Sequence, residues 1–303
     1  MPETRRILMT GASGLIGTRL ATSLRARGDD VIRLVRREPE TPDEYQWDPL
    51  VGSVDERALK GLDVVIHLSG AGISDKRWTA ARKAEIYHSR IGTTQFLAER
   101  LASADERPEV FISQSAIGIY GDRGDQILTE DSPLGTDDDF LSSLTIDWEA
   151  AADPARVAAI RVVHPRTGLV LDRDAQLMRR LAPLFKVGLG GPIGTGRQWW
   201  SWITLADVVS SIVHLIESNL AGPVNLVAPH PVRQREFATA LAAELRRPAK
   251  LPVPRAGLRL ALGSEKAGSI GFSSTRALPQ RLEADGFRFD HEDLRSALRD
   301  VVR

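Results

Sequence analysis

The chain has 303 residues, 40 acidic against 40 basic side chains, 42% apolar residues and no cysteine. That length buries one large core with a smaller lobe appended, and balanced charge leaves no basic excess to draw the chain to nucleic acid or an acidic membrane. Zero cysteines exclude disulfides, thiolate zinc sites and a cysteine nucleophile; with no signal-like or membrane-length apolar run, the chain reads as cytoplasmic.

The first element, "RRILMT", is a short apolar run that reads as a strand. It leads directly into Gly11, Gly14 and Gly17 and then a helical pattern. Small residues at that spacing let the backbone approach a pyrophosphate, and the helix start offers free N–H groups and a favourable dipole. A tight turn without a ligand is the competing reading. The second strand, "DVIRLV", ends in Arg36 and Arg37, where an NAD enzyme usually carries an acid for the ribose hydroxyls; Glu38 comes two residues late. Arginine suits a 2′-phosphate and points to NADP(H), against the alternative of an exposed arginine pair on a loop.

Further along, "DVVIHLS", "EVFISQS", "AIRVVHPRTGLVL" and "PVNLVAP" read as strands, while "ARKAEIYHSRIGTTQFLAERLAS" and "LADVVSSIVHLIES" carry apolar residues at helical spacing. This alternation predicts an α/β fold, a Rossmann-like doubly wound parallel sheet with right-handed crossovers. After "REFATALAAELRRPAK", Pro252 and Pro254 interrupt regular structure, and helical stretches return around "STRALPQRLEADG" and "HEDLRSALRDVV". A boundary is expected near residue 249, with 1–249 as the NADP(H)-binding domain including part of the substrate pocket and 250–303 as a small C-terminal substrate lobe. The acidic run Asp137 to Asp139 reads as a solvated loop, and no His, Asp and Glu cluster has metal-ligand spacing, so no metal is expected.

Together "TGASGLIG", "DVVIHLSGAGI", "FISQSAIGIYG" and "HPRTGLVL" resemble an extended short-chain dehydrogenase/reductase, the superfamily of sugar-nucleotide epimerases and dehydratases. More narrowly, "WDP" at 47–49, "DKRWTAARKAEIYHSRIGTT", "GDRGDQILTEDSP", "DWEAAA" and "GLGGPIGTGRQWWSWI" resemble an atypical epimerase-like branch. That branch ends in a short domain of unknown function, matched by "ALPQRLEADGFRF". The resemblance implies that Gly11, Ser13, Gly14, Leu15, Ile16 and Gly17 line the pyrophosphate and that Arg36 takes the adenosine phosphate, with Arg37 beside it. It implies that Leu68, Ser69, Gly70 and Ala71 pass beneath the middle of the cofactor. Glu85 and Arg90 would point toward the same crevice, a surface ion pair being the alternative. Pro165, Thr167 and Gly168 would lie near the nicotinamide.

In that superfamily a serine steadies the substrate oxygen, a tyrosine exchanges its proton, and a lysine holds the ribose while lowering the tyrosine's pKa. Ser115 keeps the serine's place in "SQSAIGIYG". Counting back from "DWE", Leu141 falls where the tyrosine belongs and Thr145 where the lysine belongs. Neither ionises near neutral pH, although threonine can donate a hydrogen bond to a ribose hydroxyl. The stretch "FLSSLTIDWEAA" still reads as the helix that presents the pair. Tyr120 is the candidate replacement proton donor, or else an aromatic lining the pocket; His67 suits a backbone-bonded strand histidine, and Tyr87 or His88 could face the crevice.

On the substrate side, "KVGLGGPIGTGRQWWSWITLAD" offers Arg197 as a clamp for phosphate or carboxylate and Trp200 as a flat wall, while at least one tryptophan of the group anchors the loop. Asp207 reads as the start of the following helix. Two functions stand against each other. One is an NADP(H)-dependent oxidoreductase or epimerase acting on a small polar substrate, nucleotide-linked sugars being the class considered. The other is a non-enzymatic NADP(H)-binding sensor or partner-binding protein, favoured by the loss of the Tyr–Lys pair. The sequence leaves the oligomeric state open.

Overall fold

Short runs of Val, Ile and Leu alternate with amphipathic helices. The strands are β1 (Arg6–Thr10), β2 (Asp30–Val35), β3 (Glu44–Asp48), β4 (Ser53–Val54), β5 (Val64–His67), β6 (Val110–Ser113), β7 (Ser115–Ala116), β8 (Ile127–Leu128), β9 (Arg161–Thr167), β10 (Leu169–Leu171), β11 (Trp199–Trp200), β12 (Trp202–Thr204), β13 (Gly222–Leu226), β14 (Val232–Arg233) and β15 (Arg276–Ala277). The longer helices are α1 (Leu15–Ala26), α2 (Ala80–His88), α3 (Ile91–Ala102), α4 (Phe140–Ala150), α5 (Asp153–Val157), α6 (Gln176–Lys186), α7 (Leu205–Glu217) and α8 (Gln234–Glu244), followed by Gln280–Ala284 and Leu294–Val302. This computed structural model describes residues 4–136, 138–249, 252–254, 256, 259, 260 and 263–302. Met1 to Glu3, Asp137 of the acidic run and residues 250 and 251 beside the expected boundary lie outside them.

The main sheet runs in the order β13-β9-β6-β5-β1-β2-β3-β4, with β7 also on β9, and only the β3–β4 pair is antiparallel. The chain builds outward from β1 to β3 and then returns to place β5 on the other side of β1. That reversal opens a crevice at the C-terminal ends of β1 and β5, the position where open α/β sheets bind ligands.

Strand alternation sorts the core onto two faces. Ile7 and Met9 of β1 meet Leu20 and Leu24 of α1 and Val208, Ile212 and Leu215 of α7. Leu8, between them in sequence, meets Leu97 and Leu101 of α3 and Ala155 of α5 on the opposite side. Each fully buried Leu or Ile contributes about 1.5–3 kcal/mol of apolar transfer. A third cluster joins Phe185 of α6, Phe237 and Leu241 of α8, Trp200, Trp202 and Leu298 into the smaller lobe.

The C-terminal segment packs on both parts: β15 pairs in parallel with β8, Leu282 enters the main core, and Leu294–Val302 lies on α8. The helical pattern expected as one element over 81–103 is two helices, α2 and α3, with Arg90 at the N-cap of the second. β3, β4, α5 and α6 have no counterpart in the sequence reading. β3 lies one strand in from the β4 edge with buried and exposed residues mixed, so its apolar signal is weak.

Pro165 sits inside β9, where a missing N–H would ordinarily break a ladder. The neighbouring strand is itself interrupted there: β6 pairs with Arg161 to Val163, and β7 resumes at Arg166 and Thr167. Proline therefore falls in the gap. On its other side Pro165 aligns with Val224 of β13, so it is a buried sheet residue and not a nicotinamide contact as the resemblance implied.

Candidate functional site

The turn after β1 is built by close approach. Gly11 has φ +66°, and a Cβ there would lie 2.7 Å from the Leu68 carbonyl carbon and oxygen and 2.9 Å from the Ser69 nitrogen. The β1 turn thus touches the loop after β5, across the crevice mouth. Gly17 packs so tightly that a Cβ would meet the Gly11 oxygen at 2.3 Å. Gly14 donates to Gly11 O at 3.0 Å and is the N-cap of α1, with no capping side chain. The first intrahelical bond is Thr18 N to Gly14 O at 2.9 Å, so the amides of Leu15, Ile16 and Gly17 precede any helical acceptor. Ser13 and Gly14 are exposed above them, while the Ile16 side chain turns into the core. Uncapped amides at a helix start form an anion site.

Thr10 and Leu34 are register partners, so Arg36 lies at the same strand end as Gly11, one strand over. The adjacent arginines part company there. Arg37 makes a bidentate pair with Glu44, with Nη1 to Oε2 at 2.9 Å and Nη2 to Oε1 at 2.8 Å, and also donates to the Glu38 carbonyl. Arg36 is exposed and has no hydrogen bond or ion pair among the described residues. The expectation that both line the cofactor is corrected to Arg36, because the fork of Arg37 is already occupied.

Beyond β5, Ser69 and Ala71 are half-buried and Gly70 is exposed. Arg90 lies against Gly70: a Cβ on that glycine would stand 3.0 Å from the guanidinium carbon. Arg90 is 7% exposed, donates from Nη1 to Ala71 O (2.9 Å) and Ile86 O (3.2 Å), and stacks over Trp148 at 5.0 Å. Among the described residues it has no carboxylate partner and its buried Nε has no acceptor, and burial, with Arg82 nearby, pulls its pKa down to about 10. Glu85 does not join it; Glu85 is exposed and pairs with Arg82 at 2.7 Å, so the crevice role implied for Glu85 is replaced by a surface ion pair.

The carbonyls that follow are taken one after another by cations and a ring N–H. Arg82 donates to Gly72 O, the Trp78 indole to Ile73 O, Arg180 to Ser74 O, and Lys266 to Ser74 O and Lys76 O. This loop thereby ties α2, α6 and the C-terminal segment together. Asp139, the described end of the acidic run, caps α4 through Ser142 N and accepts from Ser269 at 2.6 Å. No local pattern in the chain announces these long-range partners.

Both expected catalytic residues are sealed in a buried network. Ser115 is 1% exposed and its Oγ donates to Glu149 Oε1 at 2.6 Å. Glu149 receives Nε and Nη2 of Arg166, each at 2.8 Å. Arg166 Nη1 then donates to the Tyr120 hydroxyl at 3.0 Å, and that hydroxyl donates to Asn225 Oδ1 at 2.8 Å. Burial alone would lower the pKa of Arg166, but the bonds to Glu149 outweigh it and hold the group above its usual value. Burial raises Tyr120 further from neutrality, against the pull of Arg166. Tyr120 is fully buried and bound at its hydroxyl, so neither Ser115 nor Tyr120 reaches a substrate; their assignment as catalytic is corrected to a structural one. In β7 neighbouring side chains alternate, so with Ser115 turned inward the opposite side is presented by Ala116.

Leu141 lies against Gly118, whose Cβ position is 3.6 Å away, and Thr145 is buried with its hydroxyl donating to Leu141 O at 2.6 Å. That threonine is consumed by its own helix. Nearby, Trp78 meets Phe140 edge to face at 5.0 Å with Lys83 over the Phe140 ring at 4.9 Å. Thr167 is 8% exposed with Gln114 Nε2 on its hydroxyl at 2.8 Å. Gly168 is a close approach to Ser201, whose carbonyl a Cβ would meet at 2.6 Å.

On the substrate side, Trp200 is 5% exposed and packs on Phe237 at 5.0 Å, so the flat wall expected of it is core. Trp202 is buried and donates to His230 O. Trp199 is the half-buried one, between Arg233 (4.1 Å) and Arg276 (4.2 Å). Arg197 remains exposed. Asp207 is the third residue of α7; its N–H is capped by Thr204 and its carboxylate accepts from Asp290 N and His291 N. His67 is fully buried against Thr10 Oγ1 at 2.7 Å, and burial pushes its pKa down to about 3, so it is a neutral strand residue. Tyr87 bonds Asp147 at 3.0 Å, and His88 is exposed. Among the described residues no three His, Asp or Glu side chains are placed to hold a metal ion, and no helix is long and apolar enough to cross a membrane.

A phosphorylated dinucleotide fits what remains open: bare amides at Leu15 and Ile16, an exposed Gly70, the orphaned Nε of Arg90 and the unpaired Arg36. Comparison with known proteins agrees in kind. The model of the NAD dependent epimerase/dehydratase family matches residues 7–228, and that of a domain of unknown function, DUF1731, matches 253–301. An epimerase family protein of Mycobacterium tuberculosis is 41% identical over 293 residues, 96% of each chain. A crystal structure of the human epimerase family protein SDR39U1 (isoform 2) with NADPH superposes with TM-score 0.88 at 33% identity, covering 98% of both chains. A nucleoside-diphosphate sugar epimerase structure from Corynebacterium glutamicum superposes with TM-score 0.81 at 34% identity, covering 99% of this chain and 58% of that one.

Proposed function

This chain belongs to the NAD dependent epimerase/dehydratase family, and from that premise we propose that it is a cytoplasmic NADP(H)-binding, epimerase-like oxidoreductase acting on a small polar substrate without the Tyr–Lys pair. The observation that carries the reading is the unpaired Arg36 at the strand end beside the uncapped start of α1. Guanidinium charge there rewards a 2′-phosphate that NADH lacks. The NADPH in the human relative supports the same coenzyme.

When bound, the coenzyme supplies hydride exchange at its nicotinamide. The chain's own residues hold and orient: amides of Leu15 and Ile16 toward the pyrophosphate, Arg36 toward the ribose phosphate, and Arg90 beneath the 69–71 loop. Trp78 and Phe140, which meet edge to face, and Leu141 would give the substrate end apolar cover. Ser115, Tyr120 and Thr145 hold their protons within the fold, so proton exchange with substrate falls to water or to the substrate itself. Arg197 is the remaining candidate on the substrate side.

A specific observation favours a second reading, a non-enzymatic NADP(H) sensor: the hydroxyls of Ser115, Tyr120 and Thr145 are all hydrogen-bonded inward. The test is calorimetric titration with NADPH and NADH, followed by NADPH absorbance in the presence of carbonyl compounds and sugar nucleotides. Preferential NADPH binding with consumption supports the oxidoreductase, preferential binding without consumption supports the sensor, and no binding of either coenzyme sinks both.

A further inference from the structure

The acid that an NAD-binding sheet carries at the end of its second strand is missing here, yet one strand over stands Glu44, the first residue of β3 and register partner of Arg33. Its carboxylate is 2% exposed. It receives both terminal nitrogens of Arg37, the Glu40 backbone N–H at 2.8 Å, and lies 3.3 Å from Arg33 Nη2. The next residue back, Asp43, takes Arg25 and Arg33. Of the four arginines gathered at this corner, Arg25, Arg33 and Arg37 are therefore each paired with Asp43 or Glu44, and Arg36 alone is left without a partner among the described residues.

We propose that Glu44 is a positioning residue for coenzyme specificity: by pinning Arg37 and the backbone of residue 40, it fixes the turn from 36 to 40 so that Arg36 faces the 2′-phosphate. The proposal rests on the NADP(H) reading above. The physical argument has two parts. A buried carboxylate that already accepts from both terminal nitrogens of Arg37 and from the Glu40 amide, with Arg33 beside it, is not free for a ribose hydroxyl, so Glu44 gives NADH nothing, in contrast to an acid at the strand end. The bidentate pair is geometrically stiff, so it restrains the chain on either side of Arg37 where a single-point contact would let it swing. The hydrogen bonds from Arg37 and from the Glu40 amide also hold the Glu44 carboxyl below its ordinary pKa, so the clamp stays charged across the neutral range.

Charge and position predict opposite signs, which makes the test decisive. Glu44→Gln removes a negative charge near the phosphate; acting through the field alone, it tightens NADPH. Acting through position, it weakens NADPH, by about fivefold to tenfold, with NADH changed less than about twofold. Arg37→Lys keeps the charge and loses the fork, and is expected to lower the NADPH to NADH preference in the same direction if Glu44→Gln does not fold. The experiment measures dissociation constants for both coenzymes in the wild-type chain, Glu44→Gln, Arg37→Lys, Arg36→Ala and Arg36→Ala/Glu44→Gln. Support is a reduced preference in the first two variants that disappears in the Arg36→Ala background. Equal weakening of both coenzymes, tighter NADPH, or additive losses in the double variant overturns the positioning role while leaving the coenzyme assignment standing. An unchanged preference in Arg36→Ala overturns the coenzyme assignment and this inference with it.

Discussion

Two corners of the molecule, both at the C-terminal edge of the same sheet, differ in what they leave unsatisfied. At the β1 turn and the end of β2, amides, one guanidinium and an orphaned Arg90 nitrogen have no protein partner. At β7 and β9, Ser115, Glu149, Arg166, Tyr120 and Asn225 bond one another in an unbroken chain. Open donors invite a ligand, whereas a saturated buried network holds the fold together. Ser115 and Tyr120 thus belong to the second kind, and the modest glycine turn to the first.

The largest effect expected from breaking this contrast is at Arg166. Arg166→Ala strands the Glu149 carboxylate in the interior, at a cost of roughly 3–5 kcal/mol read from chemical denaturation. A variant as stable as the parent would show that the network is not what holds these elements. Gly17→Ala forces a Cβ to within 2.3 Å of the Gly11 oxygen; the turn must move, with about 1–3 kcal/mol of destabilisation and loss of NADPH binding in calorimetry. Arg36→Ala should raise the NADPH dissociation constant by about tenfold to a hundredfold and leave NADH nearly unchanged, since a charged hydrogen bond is worth about 1.5–3 kcal/mol. Smallest is Ser115→Ala: a loss of about 1–2 kcal/mol in stability with coenzyme affinity and any turnover retained. Turnover abolished at unchanged stability would return Ser115 to the active site and erase the contrast.

Much of the first corner was legible in the chain. Strand, glycine spacing and helix are contiguous, and the requirement for close backbone approach is written into Gly11 and Gly17 as the absence of a side chain. The parallel α/β class and the helix carrying Leu141 and Thr145 follow from the same local periodicity, whereas the strand order came only with the fold. The second corner was not legible. Ser115 lies 34 residues from Glu149, and Tyr120 lies 105 from Asn225; no local pattern distinguishes an inward serine from an outward one. In a strand a single step changes the face, so Ala116 and not Ser115 takes the crevice side. Trp200 erred for a related reason: three tryptophans in four residues look alike until Phe237 arrives from α8 to claim one.

What the chain determined alone is the βαβ opening, side chains without an ionisable group at 141 and 145, and a cationic end to the second strand, because each depends only on residue type at neighbouring positions. Tertiary structure alone decided which of two consecutive arginines stays unpaired and which hydroxyls face inward. Those outcomes depend on partners brought from distant strands, whose buried charges must be matched wherever the fold places them.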